Sequence, residues 1–195
     1  MLAFQRRILG RARVVTPGTT NYTTPGTYSY TVPEYNTLVV SCNGAGGGGG
    51  PGYEEPWALT QGGVGGATYV SSLGLTANGG TGGTMNRDVG WDYENWPLHD
   101  TRAAGSNGTA SGGDTNTTGG GSAGGSGAYG TRGWGYSGGN GGRAVKTYTY
   151  GAPGAPVPGT TLTIVVGAGG AGGVSRNTGS VASPGTAGSA TLTVS

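Results

Sequence analysis

Several stretches carry apolar and polar residues in the pattern of β-strands, and most lie toward the two ends of the chain. Thr27-Tyr28-Ser29-Tyr30-Thr31-Val32 alternates and is rich in aromatic and β-branched residues, the signature of a half-buried strand. Tyr22-Thr23-Thr24 precedes it across the turn dipeptide Pro25-Gly26. Pro33-Glu34-Tyr35-Asn36 then turns the chain into Thr37-Leu38-Val39-Val40-Ser41-Cys42-Asn43, a more apolar and so more buried strand. Residues 22–43 thus read as a hairpin or two paired strands. Ala67 to Leu73 is a short strand candidate. The signal returns at Arg143 to Tyr150, Thr160 to Val166 and Ser189 to Val194, with a Pro-rich loop at 151–159. No segment repeats at the 3.6 residues of an α-helix. The expectation is an all-β fold, a small antiparallel β-sandwich or jelly roll built from the two ends of the chain.

Between these strands the pattern changes to a period of three. Glycine falls at 121, 124, 127, 130 and 133, then at 139 and 142 after Tyr136. A second run has glycine at 167, 170, 173, 179, 185 and 188, with Arg176 and Ala182 in step. Doublets repeat it at 62–66 and 79–83. Three residues per turn is the period of the polyproline II helix, which has no internal hydrogen bonds. A bare face every third residue lets neighbouring backbones approach closely. Long glycine-rich insertions, at 44–142 and 167–187, are therefore expected to form packed polyglycine II helices whose amides bond between segments. Such packing describes a scaffold rather than a reactive pocket.

Composition tests this picture. The chain has 48 glycines and 10 prolines in 195 residues, a fraction that elsewhere marks low-complexity disorder. Against that stand 10 basic and 8 acidic residues, 4 tryptophans and 11 tyrosines, because charge-driven disorder needs high net charge and few aromatics. Collagen requires an unbroken Gly-X-Y repeat with abundant proline, and here the period breaks repeatedly. The basic residues concentrate at the start, where Arg6, Arg7, Arg11 and Arg13 form a short arm; Lys146 is the single lysine. The arm fits docking on an acidic surface or a solvated tail equally well. Met1 to Val15 lacks the apolar core of a signal peptide, and no stretch has the ~20 apolar residues of a membrane span. Cys42, the one cysteine, has no internal partner and reads as a buried strand thiol.

Catalytic patterns are absent. No glycine cluster is followed by the Lys-Ser/Thr of a phosphate loop. His99 is the sole histidine, so a Ser-His-Asp triad has one candidate base. A metal site from His99 with Asp92, Glu94 and Asp100 is set against a solvated polar loop, and the loop is preferred. Adjacent Glu54 and Glu55 do not aim at one glycosidic bond. The expectation is no enzyme, no cofactor and no metal. Instead, aromatic islands interrupt the glycine: Tyr53 and Trp57; Trp91, Tyr93, Trp96 and His99; Trp134 and Tyr136. Aromatic side chains on rigid loops make good contact anchors. These eight are the candidates for receptor or subunit contact.

The order of these parts resembles the glycine-rich domain of bacteriophage tail-fibre and related virion proteins. The resemblance rests on Tyr28-Ser29-Tyr30-Thr31-Val32-Pro33, on Thr37 to Asn43 running into Gly44-Ala45 and glycines 46–49, on Gly141 to Lys146 leading to Pro158-Gly159-Thr160-Thr161-Leu162-Thr163, and on Ile164 to Gly173. It spans most of residues 26–195. It implies a non-enzymatic virion protein, since some phage adhesins carry a polyglycine II layer whose loops contact the host. Residues 1–19, with Arg6, Arg7, Arg11 and Arg13, would then be an arm attaching 20–195 to other virion proteins. A homo-oligomer is expected, a trimer favoured, with a host glycan or protein as possible partner and no nucleic acid. The absence of a long shaft keeps head decoration open beside tail-tip adhesion. An ice-binding or surface-coat protein is the remote alternative, and the irregular Thr81, Thr84, Thr117 and Thr118 suit it poorly.

Overall fold

The structure is a computed structural model and describes residues 14–52, 59–84, 103–130, 133–175 and 179–195. Its strands in chain order are β1 (Gly18–Tyr22), β2 (Gly26–Thr31), β3 (Thr37–Asn43), β4 (Leu59–Thr60), β5 (Thr68–Val70), β6 (Leu75–Ala77), β7 (Ala110–Ser111), β8 (Thr115–Thr117), β9 (Tyr129–Gly130), β10 (Gly133–Trp134), β11 (Arg143–Thr149), β12 (Thr161–Val166), β13 (Val174–Ser175) and β14 (Ser189–Val194). Two antiparallel five-stranded sheets face each other, ordered β1-β14-β3-β11-β8 and β2-β12-β5-β6-β7. The helical content among the described residues is one 3-10 turn, Ser71–Leu73, closed by Gly74 at φ 65, a left-handed position that glycine adopts without strain.

The inner faces follow the pleat. On β3 every second residue, Leu38, Val40 and Cys42, is buried. The register sets Val40 opposite Leu192, and Cys42 opposite Ala190. Leu162, Ile164 and Val166 of β12 close the core from the other sheet with Val70 and Leu75. Each such side chain contributes about 1.5–3 kcal/mol on burial. Fully buried Tyr35 keeps its hydroxyl satisfied by donating to the Pro156 carbonyl at 2.6 Å.

The all-β sandwich expected from the sequence is present, with two corrections in detail. Residues 22–43 are not a hairpin. β2 pairs with β12 while β3 pairs with β11 and β14, so the two strands lie in opposite sheets. The glycine region from 44 to 142 is also not one excursion, because β5, β6, β7 and β8 return to the sheets within it.

Eight extended coils leave and rejoin these strands: c1 (44–52), c2 (61–67), c3 (78–84), c4 (103–109), c5 (121–128), c6 (135–142), c7 (167–173) and c8 (182–188). Their hydrogen bonds have a three-residue rhythm. The amides of Gly44, Gly47 and Gly50 donate to the c6 carbonyls of Gly142, Gly139 and Tyr136 at 2.7–2.9 Å. Those of Ala45 and Gly48 donate to c2, and those of Gly46 and Gly49 to c8. The carbonyls repeat the cycle. Those of residues 44, 47 and 50 accept from c5, 45 and 48 from c3, and 46 and 49 from c7. Six coils thus surround c1, and each bonds the next. Gly65 N–H donates to Gly80, Gly139 to Thr81, Gly138 to Gly125, Thr186 to Ala123, Gly185 to Gly170 and Gly63 to Ala171. Coil c4 lies outside this ring, on c3 and c6. Partner numbers rise together between c1 and c3, c5 and c7, and oppositely between c1 and c2, c6 and c8, so neighbours of both directions hold the centre.

Candidate functional site: the far end of the coil bundle

Up-and-down running gives the bundle two ends. At the near end the coils join strands: β3 enters c1, c2 enters β5, β6 enters c3 and c4 enters β7. The far end receives four connections, 53–60, 85–102, 129–134 and 174–181. The coils themselves contain no charged residue. The four connections hold all 4 tryptophans, and of the 8 acidic residues only Glu34 and Asp114 lie outside them.

Three of the connections carry short ladders. β9 and β10 form a hairpin with Trp134 opposite Tyr129. β13 pairs with β4, setting Val174 opposite Thr60 and Ser175 opposite Leu59, and Val174 also bridges to Val181. The connection after c1 therefore shares a ladder with the one after c7. Ser175 is fully buried and its amide donates to the Ser180 carbonyl at 2.9 Å.

Of the aromatic candidates, Trp134 is 62% exposed. Tyr136, half-buried, is the second residue of c6, and its amide donates to the Thr84 carbonyl at 2.9 Å. Tyr53, Trp57, Trp91, Tyr93, Trp96 and His99 lie outside the described residues, as do Arg6, Arg7, Arg11 and Arg13. Val174 and Val181 are exposed near Trp134's end of the bundle; the sequence pattern did not single them out, because lone valines beside glycine carry no strand period.

Glycine is required in the coils by contact. A Cβ on Gly47 would overlap the Thr81 carbonyl, one on Gly48 the Ala171 carbonyl and one on Gly49 the Ser126 carbonyl. The positions that do carry side chains, such as Val64, Ala168, Ala171, Ala123 and Ser126, are exposed. Side chains on the outer face prevent a further coil from packing there, much as charged or bulged edges end a sheet. Asn140 shows another use of an outer position. Its Oδ1 accepts the Gly124 N–H at 2.9 Å, replacing a backbone carbonyl.

Burial pushes the Cys42 thiol up to about 12, so it stays protonated and non-nucleophilic near neutrality. A cleft of about 310 Å³ opens at the sandwich edge between Thr16, Pro17, Tyr30, Thr31 and Val194. It is lined by hydroxyl and apolar groups, with no acid–base pair. Among the described residues no group of three or more His, Cys, Asp or Glu side chains is placed to hold a metal, and no helix is long and apolar enough to cross a membrane.

In comparisons with known proteins no family model matches the chain, and no curated protein or solved structure matches it either.

Proposed function

We propose that this chain is a non-enzymatic virion component, a rigid platform that presents aromatic connections to a host surface or a neighbouring subunit. One observation carries the reading: the coil ends from which four connections of the chain depart lie at the end of the bundle away from the sandwich, and every tryptophan of the sequence falls in those four segments. Backbone-to-backbone packing suits this task. The coils have few side chains to reorganise, and each connection starts and ends on a coil hydrogen-bonded into the bundle, c4 through c3 and c6 and the others through c1. Pre-anchoring of this kind lowers the ordering cost of binding. Aromatic rings then supply contact area with few rotatable bonds. The tail-tip assignment rests on the resemblance of the strand and glycine motifs to phage glycine-rich domains, and the arm with Arg6, Arg7, Arg11 and Arg13 is the proposed attachment to the particle.

The test replaces Trp91, Trp96 and Trp134 together by alanine in intact particles. Adsorption to host cells should fall strongly while the purified chain keeps its melting temperature. Unchanged adsorption with unchanged assembly would remove the far end as the contact surface. Gold-labelled antibody on purified particles decides the location: label at the tail tip supports adhesion, and label over the capsid replaces it with decoration.

A further inference from the structure

We propose that Asn78-Gly79 is a self-modification site, at which the chain deamidates in preference to its other Asn-Gly pairs. The chain contains four such pairs, Asn43-Gly44, Asn78-Gly79, Asn107-Gly108 and Asn140-Gly141. Each stands where a coil meets or nears a strand. Asn-Gly is the dipeptide most open to succinimide formation, because glycine has no side chain to hinder the attacking nitrogen. The Gly79 amide nitrogen, on losing its proton, would bond to the Asn78 side-chain carbonyl carbon. The bond from that carbon to Nδ2 breaks and ammonia leaves. Water then opens the ring at either carbonyl, giving aspartate or isoaspartate.

The structure separates the four pairs by the state of the attacking nitrogen. Gly44 N–H donates to the Gly142 carbonyl at 2.8 Å, Gly108 to Asn140 at 2.7 Å and Gly141 to Ser122 at 2.9 Å. Gly79 N–H has no partner among the described residues, although Asn78, Gly80 and Thr81 on either side donate to Thr109, Ala45 and Ser106. Burial points the same way. Gly44, Gly108 and Gly141 are buried, whereas Asn78 is exposed and Gly79 partly so. The side-chain amides do not discriminate, since Asn43 and Asn78 both donate to hydroxyls and Asn107 and Asn140 both accept amides. Ring closure needs the extended backbone to rotate locally. At Gly79 that rotation breaks no bond of the attacking amide, and at the other three it breaks one.

The product acts on the bundle. Asn78 Nδ2 donates to Thr109 Oγ1 at 3.0 Å, tying c3 to c4. A carboxylate would put the first charge into an uncharged set of coils. Isoaspartate would lengthen the backbone and shift the c3 amides of Gly80 and Gly83 from the c1 carbonyls of Ala45 and Gly48.

The full chain is incubated folded in mildly alkaline buffer, and in parallel in denaturant, with peptide mapping at intervals for amide-to-acid conversion. In denaturant the four pairs should convert at similar rates. In the folded chain Asn78 should lead by about fivefold or more, the factor that one retained backbone hydrogen bond represents. Asn78→Gln should abolish this leading conversion and slow the accompanying loss of thermal stability. Equal folded-state rates, an earlier conversion at Asn43, Asn107 or Asn140, or no conversion at Asn78 would each overturn the proposal.

Discussion

A methyl group distinguishes the positions that build this bundle from those that border it. At Gly47 and Gly48 a Cβ would enter the space of a carbonyl on the neighbouring coil. Gly47→Ala combines overpacking with the loss of one or two inter-coil hydrogen bonds, so it should cost about 2–4 kcal/mol in urea unfolding. Ala171→Ser, at an exposed position in the same lattice, should stay within about 0.5 kcal/mol of the parent. In the sandwich, Tyr148 is 6% exposed and its hydroxyl has no hydrogen-bond partner among the described residues. Tyr148→Phe removes an unsatisfied buried group while keeping the ring, so stability should hold or rise by about 1 kcal/mol. The thiol of Cys42 gives a pH prediction with a definite sign. Burial raises its pKa to about 12, so between about pH 9 and 12 the unfolded chain loses a proton that the folded chain keeps. The Cys42 contribution is complete below that window and is lost as pH rises through it. Denaturation midpoints should fall across the window, and Cys42→Ala should flatten the fall.

The connections and the coils are separable elements. Replacing 85–102 by a short Gly-Ser linker removes no bond of c1, so its seven donors and seven acceptors stay paired. Longer or shorter loops change closure entropy only slowly with length. The variant should melt within a few degrees of the parent by calorimetry while losing the proposed contact function. The same element scale shows what the pattern could and could not reveal. β11, β12 and β14 are legible because Arg143 to Thr149, Thr161 to Val166 and Ser189 to Val194 alternate over six or seven residues. β6, β7 and β8 have two or three residues each, too few to show a period. They are strands because open edges lie beside them: β5 pairs with β6, β6 in turn with β7, and β11 with β8. β1 is exposed along nearly its whole length, and its pairing with β14, rather than any burial of its own, makes it a strand.

At the scale of the molecule, c1 is the one coil among the described residues that is bonded on all sides, and it emerges directly from β3, a strand with no exposed residue. Glycine loses more freedom on folding than any other residue, so an isolated bundle of this composition would be costly to order. The sandwich offsets this by fixing the near ends of the coils. Hydrogen exchange should reflect that coupling. The amides of residues 44–50 should exchange only on global unfolding, and the outer amides of Gly79 and Gly82, which have no partner among the described residues, should exchange far earlier. The three-residue period by itself determined which positions are bare, because a side chain every third residue or less leaves one face free for another backbone. The two-residue period determined which strand faces are apolar. Neither period names a partner. The running period of glycine from 121 to 142 spans two coils of opposite direction joined through β9 and β10, and nothing in the spacing marks that reversal. Only the tertiary structure decided that c1 is the centre, that c4 stays outside and that the coil ends flanking four connections lie at one end. A bare backbone specifies the distance of approach but not which neighbour approaches.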